Sequence, residues 1–549
     1  LKAFIIFAYS QNHSPVMKLN TRLTIIAIIA MFLFSACSGN PDRTQYISKD
    51  AVAVVKVNTM QLGKKIAWEK LVNGSLFKDN RKDTSFNIEK TGIDMLNVFY
   101  AYALADQRLT DKMKWMLIIP VKDATKWEAF IKEEFKEASV KKEGDINVVA
   151  KEGSVAGWKN NTAIIAFDPG NSGSESVAIL TDEIKKAFAL PKDQNIGSNK
   201  KFDELEKQSH DIAFFLNYEL LMENLPQEQV GMAGGIIASQ KKYLKDTYIG
   251  AGINFDKGKI TADAQYFINP ATMSLVKNLA PEKIDNEMLK RVPDGQLNGI
   301  FSYHFNPQGI KSLIDTLGYT GLANSQLQDM NLSVEEILNA FTGDFLLTAA
   351  NLRMESKTAT YSFGDEVTTQ TYSAPNADWL FSAKTKDQAA VGKLLQLVLQ
   401  MNLFTMKAPD IYESNGIILS VKNGYIAVSN SENIINAFLN NSTPNNWKIP
   451  AEVTGNPTGL YADIASSVKV IPADSSASAE EAALMKEGKN MLESMLAYGG
   501  KQKDDHLDFH FELNFVNKNE NSLSQILDFV QKAKEADRNR KYPETEPAL

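Results

Sequence analysis

His506 and His510 are the first residues to test for chemistry. They stand four apart, with Asp508 between them and Glu512 just beyond. On a helix that spacing brings both imidazoles to one face and offers a metal site. The neighbours argue for a strand instead. Leu507, Phe509, Phe511, Leu513 and Phe515 alternate strictly with polar residues, which is the two-residue period of a half-buried strand. Four residues along a strand span about 13 Å, too far for one metal that sits about 2 Å from each nitrogen. Both histidines are therefore expected on a solvated strand face, with no metal and no cofactor. Nucleophile and phosphate motifs fare no better. The chain has no G-x-S-x-G elbow, Walker A loop, G-x-G-x-x-G or His-Glu-x-x-His. Gly170-Asn171-Ser172-Gly173-Ser174 reads as a loop, and the acid pairs Glu133-Glu134 and Glu480-Glu481 lie on amphipathic helices, where a solvated face is the default. No catalytic residue is assigned.

Cys37 is the only cysteine in 549 residues, and its place is informative. It closes the stretch MKLNTRLTIIAIIAMFLFSAC, which begins at Met17. Lys18 and Arg22 supply positive charge, Leu23 to Leu33 is apolar apart from Thr24, and Ser35-Ala36 are small. That order is a secretory signal, too short and wrongly flanked for a stable span. A cysteine at this point resembles the lipobox of bacterial lipoproteins, although Phe34 stands where Leu or Val is usual. There the thiol receives a diacylglyceryl group and becomes the new N-terminus. Two acyl chains hold firmly where one binds marginally, at about 0.8 kcal/mol per buried methylene. Residues 1–16 do not fit a signal, so translation is expected to start at Met17. The net charge is −7 and the pI near 5.6, and no basic patch is interleaved with aromatics. Nucleic acid is therefore not an expected partner.

The elements that carry these residues recur. Ala51 to Val57 reads as a strand, followed by Asn58 and a helix through Leu62 and Ile66; Gly299 to Phe305 repeats it, followed by Asn306-Pro307 and a helix through Ile310, Leu313 and Leu317. Thr91-Gly92-Ile93-Asp94 leads into one strand and Thr342-Gly343-Asp344 into its counterpart. Trp115 to Asp123 and Trp379 to Asp387 share the same Trp-to-Lys-Asp spacing, and each Asp stands where a helix N-cap belongs. Lys159-Asn160-Asn161 and Lys422-Asn423-Gly424 mark the closing hairpins. The expected fold is α+β, with mainly antiparallel sheets in two tandem copies of a mixed unit, A1-B1-A2-B2. Its parts are an upstream extension with signal (1–36), a lipidated tether (37–45), A1 (46–200), B1 (201–290), A2 (291–445), B2 (446–535) and a disordered tail (536–549). Trp115 and Trp379 are expected as core anchors. Met485, Met491 and Met495 are expected as core on a helix from Ala479 to Leu496.

One segment breaks the repeat. Ser356 to Asn376, SKTATYSFGDEVTTQTYSAPN, has only a short counterpart in the first copy. Its alternating Thr, Tyr and Ser predict a protruding hairpin with a polar face. Tyr361, Phe363, Asp365 and Tyr372 are its candidate partner-binding residues.

The signal with its lipobox, Lys49-Asp50 before the first strand, Thr91-Gly92-Ile93-Asp94 and Lys422-Asn423-Gly424 together resemble a family of Bacteroidetes lipoproteins of similar length, known only as a domain of unknown function. That resemblance implies a Gram-negative cell envelope and lends no catalytic residues. The expected function is a non-catalytic binding or interaction module, lipid-anchored to the outer membrane and facing the periplasm or the surface. Its partner class is an envelope protein or a glycan. The alternative is an envelope hydrolase, glycan-directed, with carboxylates drawn from separate strands.

Overall fold

The computed structural model describes residues 42–66, 88–106, 113–135, 138–151, 153–169, 174–224, 241–277, 279, 284–363, 366–442, 445–472 and 478–541. The signal stretch, Cys37 and residues 542–549 of the expected tail lie outside them. The chain divides into two compact units, through Asn224 and from Leu225 onward. Both are built from antiparallel strands with helices packed on them, as the α+β pattern predicts.

The first unit contains β1 (Ala53–Val57), β2 (Phe99–Ala105), β3 (Met113–Pro120), β4 (Lys141–Glu143), β5 (Ile146–Lys151), β6 (Ser154–Lys159), β7 (Thr162–Phe167) and β8 (Ile212–Asn217). They pair in the order β8-β1-β2-β3-β7-β6-β5-β4. The helix Ser174–Phe188 buries Ile179, Leu180 and Ile184. It lies so close to the sheet that a Cβ on Gly157 would meet Ile184 Cγ2 at 2.5 Å. The helix Ala124–Glu134 is capped by Asp123, whose carboxylate accepts from the amides of Thr125 and Lys126, and it buries Trp127, Phe130 and Ile131.

The second unit contains β9 (Tyr248–Asp256), β10 (Lys259–Phe267), β11 (Leu297–His304), β12 (Phe341–Phe363), β13 (Glu366–Thr385), β14 (Thr405–Ala408), β15 (Ile411–Ser414), β16 (Ile417–Lys422), β17 (Tyr425–Ser429), β18 (Thr458–Asp463), β19 (Leu492–Lys503) and β20 (His506–Phe515). Their order is β9-β10-β20-β19-β18-β11-β12-β13-β17-β16-β15-β14. From β18 to β14 this reproduces the order of the first unit strand for strand. The registers agree as well. Ala53, Ala103 and Trp115 lie side by side in one, and Gly299, Ala349 and Trp379 in the other. Asp387 caps the helix Gln388–Gln400 as Asp123 caps its counterpart. One face of the sheet packs Ile300, Leu346, Leu380, Ile418 and Ala427 against Ile435, Phe438 and Leu439 of the helix Glu432–Asn440.

Three sequence expectations are displaced. The β9–β10 hairpin, expected in the first lobe, pairs through β10 with β20 in the second unit. Strand patterning reveals which faces are apolar but not which edges meet. The pairing is antiparallel and unbroken: Lys259 lies opposite Asn514, Phe267 opposite His506, and Asp263 opposite His510 at the centre. Second, the helix expected to reach Leu496 ends at Lys489, and Met495 belongs to β19. There β19 fills the place between β18 and β20, which would otherwise both be edges. Third, the closing helix runs from Ser522 to Lys541, past the expected start of the tail, with Ala536 buried.

Gly343 and Gly424 separate two costs of adding a methyl group. Gly343 has φ +103°, and a Cβ there would sit 1.8 Å from the Phe305 carbonyl oxygen; Gly424 has φ +80° with open space around it. Gly424→Ala is expected to cost about 1–2 kcal/mol from backbone strain alone. Gly343→Ala adds a main-chain collision and should cost at least about 2 kcal/mol more. Urea unfolding of both variants measures this, and equal losses would contradict the crowded geometry at Gly343.

Candidate functional site

Alternation along β12 and β13 builds the site. Near their bases both strands are flanked, β12 by β11 as far as Ala350 and β13 by β17 as far as Leu380. Beyond those points they pair only with each other among the described residues, from Arg353↔Asn376 to Phe363↔Glu366. At about 3.3 Å per residue this is a two-stranded ribbon about 35 Å long. One face carries Ser356, Thr358 and Thr360 opposite Ser373, Thr371 and Thr369. The Thr358 and Thr371 hydroxyls lie 3.5 Å apart, as do those of Thr360 and Thr369. Lys357, Ala359, Gln370 and Tyr372 occupy the other face.

The root of the ribbon is fixed by a polar bracket. Asn351 takes a left-handed conformation, φ +53°, where the β12–β13 register shifts. Its amide donates to Asp378, its side-chain carbonyl accepts from the Gln296 amide, and Arg353 donates to Asp378 and Glu355 at 2.7 Å each. Asn376 donates to the other oxygen of Glu355. The hydrogen bond to Asp378 is the main reason that the Arg353 guanidinium is held above its ordinary pKa.

Beside this root lies an apolar lane. The rings of Phe301, Tyr303, Phe305, Phe345 and Phe381 follow one another with centroids 5.4 to 6.5 Å apart. Phe301 is 37%, Tyr303 40% and Leu347 43% exposed. They are the alternate residues of strands whose other face forms the core. Exposed apolar surface of this kind marks interaction sites.

The candidate residues fall unevenly on this arrangement. Tyr372 is 46% exposed on β13. Tyr361 and Phe363 are residues of β12 whose side chains lie outside the described set, and Asp365 lies outside it altogether, as does Cys37. Trp115, expected in the core, is 36% exposed. His506 and His510 do lie on the polar face of a strand, and each has its own partner. His510 Nδ1 is 2.7 Å from Asp263, and His506 Nε2 is 3.1 Å from Asp508. No cluster of metal-ligating side chains occurs among the described residues.

Sequence patterning missed His304. Its Nδ1 lies 2.6 Å from Asp344 Oδ1, which also accepts from the Asp285 amide, while Thr342 donates to Oδ2. The Thr-Gly-Asp signal marked the aspartate but not its partner forty residues earlier. Burial would raise the Asp344 pKa, yet the hydrogen bonds from His304, Thr342 and the Asp285 amide outweigh it and hold the carboxyl below its ordinary value. Both carboxylate oxygens are occupied, so the group acts as a structural clamp between β11 and β12.

Residues 44–441 match the family model DUF4836, described as a domain of unknown function. The chain belongs to this family. No curated protein matches it by sequence. Among solved structures, crystal form IV of TP0453 is 10% identical over 44% of this chain and 86% of its own, with a TM-score of 0.26. Crystal form III of TP0453 is 10% identical over 45% and 91%, with a TM-score of 0.24. Likeness at that level carries no argument about this DUF4836 chain. No helix among its described residues is long and apolar enough to cross a membrane.

The Asp344 clamp predicts an acid limb of stability. Its folded pKa is lowered, so the stabilisation is full above the unfolded carboxyl value near 4 and is lost as pH falls through the folded value. Asp344→Asn should therefore be less stable than the parent at pH 6, with the gap closing below about pH 4. Urea midpoints between pH 2.5 and 6 test this, and a gap that stays constant with pH would exclude the clamp.

Proposed function

We propose that this protein is a non-catalytic binding module of the cell envelope that engages its partner with the β12–β13 ribbon and the aromatic lane at its root. The observation that carries the proposal is the ribbon itself. About ten residues of each strand leave the sheet, and among the described side chains residues 356–358, 360 and 368–373 are exposed, on both faces. A free two-stranded ribbon is marginal in water unless something packs on it, which suits a segment that finishes folding on a partner. Phe301, Tyr303 and Leu347 supply the apolar anchors that concentrate binding energy in protein interfaces. An envelope protein or a glycan is the partner class.

A tandem duplication underlies this architecture in the same proposal. Its support is the shared strand order, the matched Trp115 and Trp379 rows and the paired Asp123 and Asp387 caps. The ribbon is then an insertion into the second copy. In this reading a diacylglyceryl group on Cys37 holds the folded units at the outer membrane, and the lipobox-like signal is its support.

Replacing residues 354–375 with a two-residue turn should leave the unfolding free energy within about 0.5 kcal/mol of the parent, as for surface changes generally. It should abolish recovery of cross-linked envelope partners, and undiminished recovery would overturn the assignment of the arm. Cys37→Ala should release the chain from the membrane fraction, with mass spectrometry of the native protein showing a diacylated N-terminal cysteine. A bare sulfur there would remove the anchor from the proposal.

A further inference from the structure

We infer that the free edge of β12 in the ribbon pairs antiparallel with the same edge of a second copy of this chain. The inference rests on the ribbon being a binding arm and names what the arm binds. Parity along the strands tells which backbone groups are unused. Pro375 on β13 lies opposite Met354 and has no N–H to donate. The 354/375 pair is therefore one whose main-chain groups point away from each other. The register runs unbroken from Arg353 to Phe363, so every second residue repeats that orientation. Thr358/Thr371 and Thr360/Thr369 fall in the same class. Their hydroxyl separations of 3.5 Å agree with the closer side-chain approach of such pairs. The N–H and C=O groups of Ser356, Thr358 and Thr360 thus line the outer edge of β12, where no strand among the described residues receives them.

Edges of this kind are usually blunted by proline, bulges or inward charges. Residues 354–363 of β12 contain no proline, no glycine and no register shift. The outer edge of β13 is interrupted by Pro375, so β12 is the edge that can accept a strand along its length.

Charge makes this edge complementary to a second copy of itself. Glu355 and Lys357 lie on one face of β12, two residues apart. Glu355 already accepts from Arg353 and Asn376 within its own chain and would take Lys357 of the second copy as a further donor, while no ion pair engages Lys357 among the described residues. In a two-fold pairing centred on Ser356, Ser356 meets its own copy and Met354 meets Thr358. Glu355 meets Lys357 once on each side of the axis. Centring on Glu355 or on Lys357 would set like charges face to face, which destabilises a cross-strand pair. The fold already contains an antiparallel seam bridged by charge: β10 pairs with β20, and Lys259 is bound diagonally to Glu512 across the strands at 3.0 Å.

Sedimentation equilibrium of the purified full chain should show a concentration-dependent monomer–dimer exchange. Lys357→Glu and Glu355→Lys should each weaken it at least about tenfold, equivalent to about 1.4 kcal/mol. An equimolar mixture of the two variants should restore it, because both cross-strand pairs are then complementary. Thr358→Pro removes an outward N–H from β12 and should abolish the dimer. Thr371→Pro makes the same change on the opposite edge and should leave it intact, and circular dichroism melts check that both variants fold. A chain that stays monomeric, a mixture that fails to restore pairing, or equal effects of the two prolines would overturn the inference. If the chain is monomeric yet loses envelope partners on removal of 354–375, self-pairing alone is wrong. Partner recovery that survives the removal overturns the arm as well.

Discussion

Backbone hydrogen bonding between β12 and β13 begins within the sheet and ends where, among the described residues, no other strand flanks the pair, and this continuity governs how the ribbon behaves. From Phe345 to Ala350, β12 is paired on both sides and packed through Leu346 against the core. Within a few residues the same strand has one neighbour and a bare edge. A main-chain donor or acceptor must be satisfied by protein or by water, so the outer rows of the ribbon are hydrated until another strand replaces the water. The root therefore supplies rigidity, and the tip supplies unused bonding capacity.

The bracket of Asn351, Arg353, Glu355, Asn376 and Asp378 lies where those two regimes meet. Exposed ion pairs contribute little to stability one at a time. Here their geometry matters more than their energy, because Asp378 receives both Asn351 and Arg353 and so ties the left-handed turn of β12 to β13. Such a joint sets the direction in which the ribbon leaves the sheet. It also keeps Phe301, Tyr303 and Leu347 beside the point of departure, so that apolar anchors and a hydrogen-bonding edge are offered together.

Much of this could be read from residue order. The Trp115 and Trp379 segments, the Asp123 and Asp387 caps and the Asn423-Gly424 turn are local signals, and local signals survive transfer from sequence to structure. The alternation from His506 to Phe515 likewise marks the strand β20. What could not be read depends on partners distant in sequence. Nothing near Lys259 says that its strand will meet β20, and nothing near Met495 says that a helical pattern will yield to a strand needed between two others. Trp115 reads as core because tryptophan usually is, whereas on its face of β3 only Leu117 and Ile119, farther along the strand, are buried. His304 was passed over because its partner, Asp344, belongs to a different strand.

The seam between β10 and β20 also has a cost in time. His510 lies 247 residues after Asp263. At synthesis rates of about 5–20 residues per second, the β9–β10 hairpin leaves the ribosome about 12–50 s before the strand that covers it. Through that interval Ile260, Ala262 and Ala264 stand on a strand with one edge unpaired, the condition in which nascent chains aggregate or recruit chaperones. Completion of the second unit therefore waits for the last strand of the sheet, and a truncation before β20 strands the hairpin however well the residues upstream have folded.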